Sequence, residues 1–184
     1  MRTSYIFLAE GFEEIEALTV VDTLRRAGMD IKTVSITPLS SVRGAHGIEV
    51  NVDALFADTD FSSAEWLICP GGLPGSSNLA AFTPLCELLK SHRRGIAAIC
   101  AAPAVVLAPL GLVDGKDVTC YPGFEDACEL GGGKVKHGAA VVALDKFVTA
   151  AGPATALPFA LAIVAESLGS EAAHEVAAGM LTAF

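Results

Sequence analysis

The chain has 184 residues, with 12 Lys and Arg against 21 Asp and Glu, giving a formal net charge of −9 at neutral pH. Hydrophobic residues make up 52% of it and charged residues 18%, which excludes an intrinsically disordered chain, since disorder needs low hydrophobicity and high charge. The acidic balance excludes a nucleic-acid footprint, because phosphate binding needs clustered Lys and Arg, and the runs Arg25-Arg26 and His92-Arg93-Arg94 are too short to form a stripe. The length suits a single domain spanning 1–184 with a full core.

Apolar runs alternate with helix-like segments from the start. Tyr5–Ala9 reads as a strand, and Gly11 breaks it. Glu13–Ala27 reads as a helix whose apolar face is Ala17, Val20, Val21, Leu24 and Ala27, at i, i+3, i+4, i+7 spacing, with Gly28 as its stop. Ile31–Ile36 is the next strand, and Val42–Val52, with two glycines, is a small hairpin. Trp66–Cys69 is a short buried strand ended by Pro70-Gly71-Gly72, and Pro84–Arg93 is an amphipathic helix. Ile96–Val113 has 18 residues without a charge but holds Pro103, Pro109 and Gly111, so it reads as strand Ile96–Ile99, a turn, and helix Pro103–Leu110 rather than a membrane span. Val118–Cys120 and Phe147–Ala150 are further strands, with Gly131–Leu144 a hairpin region between them. Gly152-Pro153 opens an almost wholly apolar helix, Ala154–Leu168, and Ser170 caps a last helix, Glu171–Leu181.

Strands apolar on both faces, alternating with helices, predict a mostly parallel sheet with helices on both faces. Ligands then sit at the carboxyl ends of the strands, so the loops to inspect are Glu10–Phe12, Pro70–Gly75 and Cys100–Pro103. The five cysteines, Cys69, Cys86, Cys100, Cys120 and Cys128, form no C-x-x-C pair, which suits a reducing compartment, the cytoplasm. No secretory signal is visible.

Cys100 follows a strand directly and precedes a helix start. That turn lifts a side chain above the sheet edge, places backbone N–H groups beside it and favours the thiolate. A cysteine is more often a small buried hydrophobe, and that reading fits Cys69 and Cys86, with Cys120 and Cys128 left open. Gly71 and Gly72 let a backbone approach a ligand closely, although an ordinary tight turn has the same residues. They do not make a G-x-G-x-x-G dinucleotide fingerprint. Glu13, Glu14 and Glu16 open the first helix, where exposed carboxylates each stabilise the helix by ~0.3–1 kcal/mol through its dipole. A half-buried one could instead carry a proton, but periodicity does not select which. His46, His92, His137 and His174 show no metal-ligand spacing, so no metal site is expected.

Several strings together resemble one family. Ala97-Ala98-Ile99-Cys100-Ala101-Ala102-Pro103 is similar to the nucleophile elbow of the ThiJ/PfpI superfamily, and Glu10-Gly11-Phe12-Glu13-Glu14-Ile15-Glu16 to the glutamate loop of its deglycase branch. Pro70-Gly71-Gly72, Leu24-Arg25-Arg26-Ala27-Gly28 and Gly152-Pro153-Ala154-Thr155 match further signatures in order. The resemblance implies a flavodoxin-like three-layer sandwich and a homodimer, with the first helix and Val42–Val52 as candidate dimer surfaces. It implies Cys100 as the reactive cysteine, Glu16 as the protonated carboxyl contacting it, and Gly71, Gly72 and Ala101 as N–H donors to a carbonyl oxygen. The implied activity is a glutathione-independent glyoxalase or deglycase acting on a small aldehyde such as methylglyoxal, with no cofactor, no nucleic acid and no membrane. The alternatives are a non-catalytic redox-sensing or chaperone-like stress protein with an oxidisable Cys100, and a cysteine peptidase or amidase. The last is weakened because the protease-like branch has His where Ala101 stands. Two further departures mark accessory positions: Tyr121 falls in a segment where the deglycase branch carries a His, and His46 falls where it carries an Arg.

Overall fold

A computed structural model describes residues 2–184. In chain order its main elements are strand β1 (Ser4–Leu8), helix α1 (Glu14–Arg26), β2 (Ile31–Ser35), the hairpin β3 (Ser41–Arg43) and β4 (Glu49–Asn51), and β5 (Ala54–Leu55). There follow β6 (Trp66–Cys69), α2 (Gly75–Ala81), α3 (Thr83–Ser91) and β7 (Gly95–Ile99). A π-helical turn, Pro103–Leu107, leads to β8 (Asp117–Val118), α4 (Glu125–Leu130), β9 (Lys134–Val135), β10 (Val141–Leu144) and β11 (Phe147–Ala150). Helices α5 (Ala156–Leu168) and α6 (Ser170–Gly179) end the chain.

Seven strands form one sheet in the order β10-β11-β7-β6-β1-β2-β5, parallel except for the β10–β11 pair. Alternation along each strand divides the core. Ile6, Leu8, Trp66, Ile68, Ala97 and Ile99 face one layer with α1 and α5; Tyr5, Phe7, Leu67, Cys69, Ile96 and Ala98 face the other with α2 and α3. This is the expected flavodoxin-like sandwich. Val20 and Leu24 of α1 are fully buried in the first layer, and each such side chain stabilises the fold by roughly 1.5–3 kcal/mol. At the helix end, Gly28 takes φ +73 while the Gly28 and Met29 N–H groups bond back to Arg25 and Leu24, a left-handed stop that suits glycine.

The expected Val42–Val52 hairpin forms, pairing Val42 with Val50. Elsewhere the pairing differs. Gly131–Leu144 is not a hairpin: β9 pairs in parallel with β8, while β10 pairs with β11 across the turn at Asp145-Lys146. The strand expected at Val118–Cys120 is confined to Asp117–Val118, and Thr119 turns to bond Thr149 Oγ1 and the Ala139 carbonyl. Ser170 is the first residue of α6 rather than its cap, which is Gly169 at φ +94. Helix α2, to which no expectation was attached, begins at Gly75, the last residue of the expected Pro70–Gly75 loop, and buries Ser76 and Leu79.

The chain leaves β1 for β2 on one side and returns to β6 on the other, so the strand order switches at β1. The loops after β1 and β6 therefore diverge to opposite faces, and a crevice opens above the carboxyl ends of the strands. Among the described residues, no helix is long and apolar enough to cross a membrane.

Candidate active site

Three loops meet at that crevice. After β7 the chain bends sharply at Cys100, the elbow residue, at φ +64, which a non-glycine residue seldom adopts. The bend is fixed by its own backbone: the Cys100 N–H donates to the Ala150 carbonyl (2.9 Å), and the Cys100 carbonyl accepts from the Tyr121 N–H (2.8 Å). Only 8% of Cys100 remains exposed.

Glu16, on the first turn of α1, is fully buried. Its Oε2 accepts the Gly71 N–H at 2.7 Å, while Oε1 has no hydrogen-bond partner. Burial pushes this carboxyl up to about 7; the Gly71 N–H and the Cys100 thiol pull against that shift, and the charge on Glu13 adds to it. Gly71 is where the two groups come together. A Cβ there would lie 2.5 Å from Cys100 Cβ, 2.6 Å from Glu16 Oε2 and 3.0 Å from the sulfur, so any side chain would force them apart.

The thiol does not follow the simple expectation from a helix start. Burial, then the charge of Glu16 and its hydrogen bond, push Cys100 up to about 12, whereas the N–H groups of Gly72 and Ala101 pull it down. The two effects of Glu16 exist only while Glu16 is ionised. Cys100 and Glu16 therefore titrate as a pair: the first proton leaves near 7, the second is held far more tightly, and both values belong to the pair.

Of the expected N–H donors, Gly72 and Ala101 face the sulfur, but the Gly71 N–H is taken by Glu16, so it positions the acid instead of receiving a carbonyl oxygen. His46 bonds to Glu14 rather than to the thiol. Its Nδ1 shares a 2.8 Å hydrogen bond with Glu14 Oε2, and its backbone N–H donates to Glu14 Oε1 at 2.7 Å. Tyr121 adjoins the elbow through its backbone, while its half-exposed ring stacks edgewise on Phe124 at 6.5 Å.

Sequence spacing missed two features. Glu13, Glu14 and Glu16 are all buried rather than solvated, because the β3–β4 turn and the Gly71-Gly72 loop cover the start of α1. Glu13 Oε2 caps the helix by accepting the Glu16 N–H at 2.8 Å. Folding also brings the ligand atoms of Glu13, Glu14 and His46 within 4.8 Å of one another, a group of metal-binding type that histidine spacing could not reveal. In it, Glu14 and His46 already serve as each other's partners.

The fold and the cysteine–carboxyl pair define a flavodoxin-like α/β protein with a buried acid beside an elbow thiol. The sequence profile of the DJ-1/PfpI family matches residues 2–166, and the chain belongs to that family. It is 37% identical over 173 residues to DJ-1 homolog B of Arabidopsis thaliana, covering 92% of this chain and 39% of the relative, so the chain spans less than half of that protein's length. It is 36% identical over 165 residues to the Caenorhabditis elegans protein named glutathione-independent glyoxalase DJR-1.2, covering 88% of this chain and 86% of the relative. Among solved structures, Drosophila melanogaster DJ-1beta superposes with a TM-score of 0.93 at 33% identity, covering 100% of this chain and 99% of that one.

Proposed function

We propose that the chain is a cofactor-independent glyoxalase for small 2-oxoaldehydes such as methylglyoxal, with Cys100 as nucleophile and Glu16 as acid and base. The carrying observation is the buried Glu16 carboxyl, raised to about 7, converging with the elbow sulfur on the space above Gly71. In the first step the Cys100 thiolate adds to the aldehyde carbon, and the proton on Glu16 passes to the aldehyde oxygen, giving a hemithioacetal. The Glu16 carboxylate then removes the hydrogen from that carbon as a proton and returns a proton to the neighbouring carbon, while the hydroxyl proton of the hemithioacetal passes to the former ketone oxygen. The product is a thioester of the 2-hydroxy acid. Water cleaves it, releasing lactate and the thiol, so the net change is addition of one water. In this reading the Gly72 and Ala101 N–H groups, which face the sulfur, stabilise negative charge forming next to it.

Size supports a small aldehyde over a glycated protein or a peptide, because only 8% of Cys100 is exposed. A peptidase also lacks support: the titratable side chain acting most strongly on Cys100 is a carboxyl, and Ala101 follows the cysteine. The name of the nematode relative points the same way.

The test is conversion of methylglyoxal to lactate by purified protein, wild type beside Cys100→Ser, corrected for buffer-catalysed loss. Steady turnover by wild type alone supports the proposal. Negligible turnover, with Cys100 instead oxidised stoichiometrically by mild peroxide in mass spectra, replaces it with the redox-sensing role.

We further infer a homodimer that uses α1 and the β3–β4 hairpin. Ile15 (57% exposed), Leu18 and Ile48 (53%) leave apolar surface there that a second copy would cover. Five free cysteines suit a reducing, cytoplasmic setting. Sedimentation of wild type beside Ile48→Glu tests the interface.

A further inference from the structure

At the opposite end of the sheet from Cys100 lies a cavity of about 590 Å³. Its floor is apolar: Ile96 and Phe147, at the amino ends of β7 and β11, with Leu112 beside them. Its walls are cationic. Arg93, Arg94, Lys116, Lys134 and Lys146 line it, five of the 12 basic side chains in a chain of net charge −9.

These cations are also short of counter-charges. Among the described residues, Arg93, Arg94, Lys116 and Lys134 have no carboxylate within salt-bridge distance. Of the two acidic side chains in the lining, Asp117 is taken by Lys136 at 3.0 Å, and only Asp145 is left. Lys146 is paired with Glu65. Lys116 Nζ stands 4.4 Å from the centre of the Phe147 ring and donates to the Leu112 carbonyl at 2.9 Å, so its charge is held against the apolar floor. Burial holds its ammonium below the ordinary lysine range, a cost that a bound anion would offset. The two guanidinium groups meet backbone carbonyls only, Arg93 Nη1 donating to Lys90 and His92 and Arg94 Nη1 to Ala64, so neither charge is neutralised by a carboxylate at salt-bridge distance.

We propose that this cavity is a binding site for a phosphorylated small molecule of nucleotide size, its phosphates on the Arg and Lys walls and its apolar or aromatic body on the Ile96–Phe147 floor. The volume falls in the usual range of small-ligand sites, roughly 300–1,000 Å³. Guanidinium and ammonium groups together are the usual phosphate donors. Long nucleic acid is disfavoured by the chain's overall negative charge, whereas a small anion samples the local potential of the concavity. The site is separate from the reactive cysteine. Ile96 and Cys100 are four residues apart along an extended strand, which sets them ~13 Å apart.

Isothermal titration of the full chain with adenosine triphosphate, tripolyphosphate and adenosine tests the proposal. The triphosphate should bind saturably, with tripolyphosphate and adenosine each weaker by about tenfold or more, since each lacks one half of the recognition. Lys116→Gln, which keeps the stem over Phe147, and the exposed change Lys134→Glu should each weaken triphosphate binding about tenfold. Lys32→Glu, the same charge change at an exposed position on β2, should stay within about twofold, because a distant exposed charge is screened. Lys134→Glu carries the test if Lys116→Gln fails to fold. No saturable binding overturns the proposal. So does equal loss in Lys32→Glu and Lys134→Glu, or tripolyphosphate binding as tightly as the nucleotide.

Discussion

Glu14 and Glu16 sit two residues apart on the first turn of α1, both buried, yet they are driven in opposite directions. Burial pushes the Glu14 carboxyl up, but hydrogen bonds from the ring and backbone of His46 outweigh it and hold it below its ordinary 4.5. Burial lifts Glu16 to about 7, and the one N–H that reaches it, from Gly71, is not enough to reverse the shift. The surface-side carboxylate is given an imidazole and a backbone N–H; the pocket-side one is given a thiol and an unpartnered oxygen. Position on the helix does not set the protonation state of an acid; the polar groups supplied from other loops do. One turn thus carries a fixed charge on one side and a mobile proton on the other.

The largest break in this contrast comes from removing the mobile proton. Glu16→Gln should lower methylglyoxal turnover by about 10²–10⁴-fold, the usual range for a general acid–base group. It should also reshape the pH profile of Cys100 alkylation. In wild type the rate should rise near 7 as the pair loses its first proton and again toward 12. In the variant the step near 7 should vanish, leaving a single titration. A wild-type profile that Gln does not alter would show that the two groups are uncoupled.

Gly71→Ala attacks the same pair through space. The new Cβ would sit 2.5 Å from Cys100 Cβ, so either the elbow or the Glu16 side chain must move. Turnover should fall with that displacement, and overpacking should cost about 1–3 kcal/mol in chemical denaturation. Full activity at unchanged stability would mean that the loop relaxes freely and that the close approach is incidental.

Much of this was legible in the residues, and the exceptions share a cause. Trp66–Cys69 and Phe147–Ala150 were readable to the residue, because buried parallel strands are short, continuous apolar runs. Cys100 was readable as an elbow because an apolar strand ends on it and Ala-Pro follows. What failed depended on groups brought from afar. Nothing near Glu14 announces His46, 32 residues on, and nothing local separates Glu16 from its neighbours; only the resemblance selected it. The thiol expectation weighed a helix start alone, whereas burial and the Glu16 carboxyl push the other way. Helix α2 carried no local signal because Gly, Ser and Asn are weak helix formers, and packing of Ser76 and Leu79 overrides that preference. The runs His92-Arg93-Arg94, Lys116 and Lys134 are unremarkable in sequence and become one cationic wall only when the segment entering β7 and the β8–β9 pair converge on the amino end of β11.

A smaller effect, of opposite sign, separates stability from activity. Glu16 is raised in the folded chain, so between 4.5 and about 7 the folded state holds a proton that the unfolded state has released. Wild-type stability must therefore fall as pH rises through that window. Glu16→Gln removes the loss, and the variant should gain on the order of 3 kcal/mol over wild type above pH 7, as an upper limit, with the advantage fading below 4.5. Denaturant titrations of both proteins at acid and neutral pH measure it. A variant less stable than wild type at neutral pH would mean that Glu16 supports the fold as well as the chemistry.

The smallest effect lies on the surface side. The depressed Glu14 contributes stability that is present above 4.5 and is lost as pH falls through its lower folded value. The raised His46 contributes stability that is present below 6.5 and is lost as pH rises through its higher folded value. Their mutual stabilisation is therefore complete only between 4.5 and 6.5. His46→Ala should accordingly lower the melting temperature most at pH 5–6 and progressively less on either side, while methylglyoxal turnover stays close to wild type, because the imidazole is bonded to Glu14 and not to Cys100 or Glu16. Because His46 is largely solvent-exposed, the shift will be slight. If turnover instead fell as far as it does in Glu16→Gln, the fixed charge on Glu14 and the mobile proton on Glu16 would have to be treated as one titrating unit.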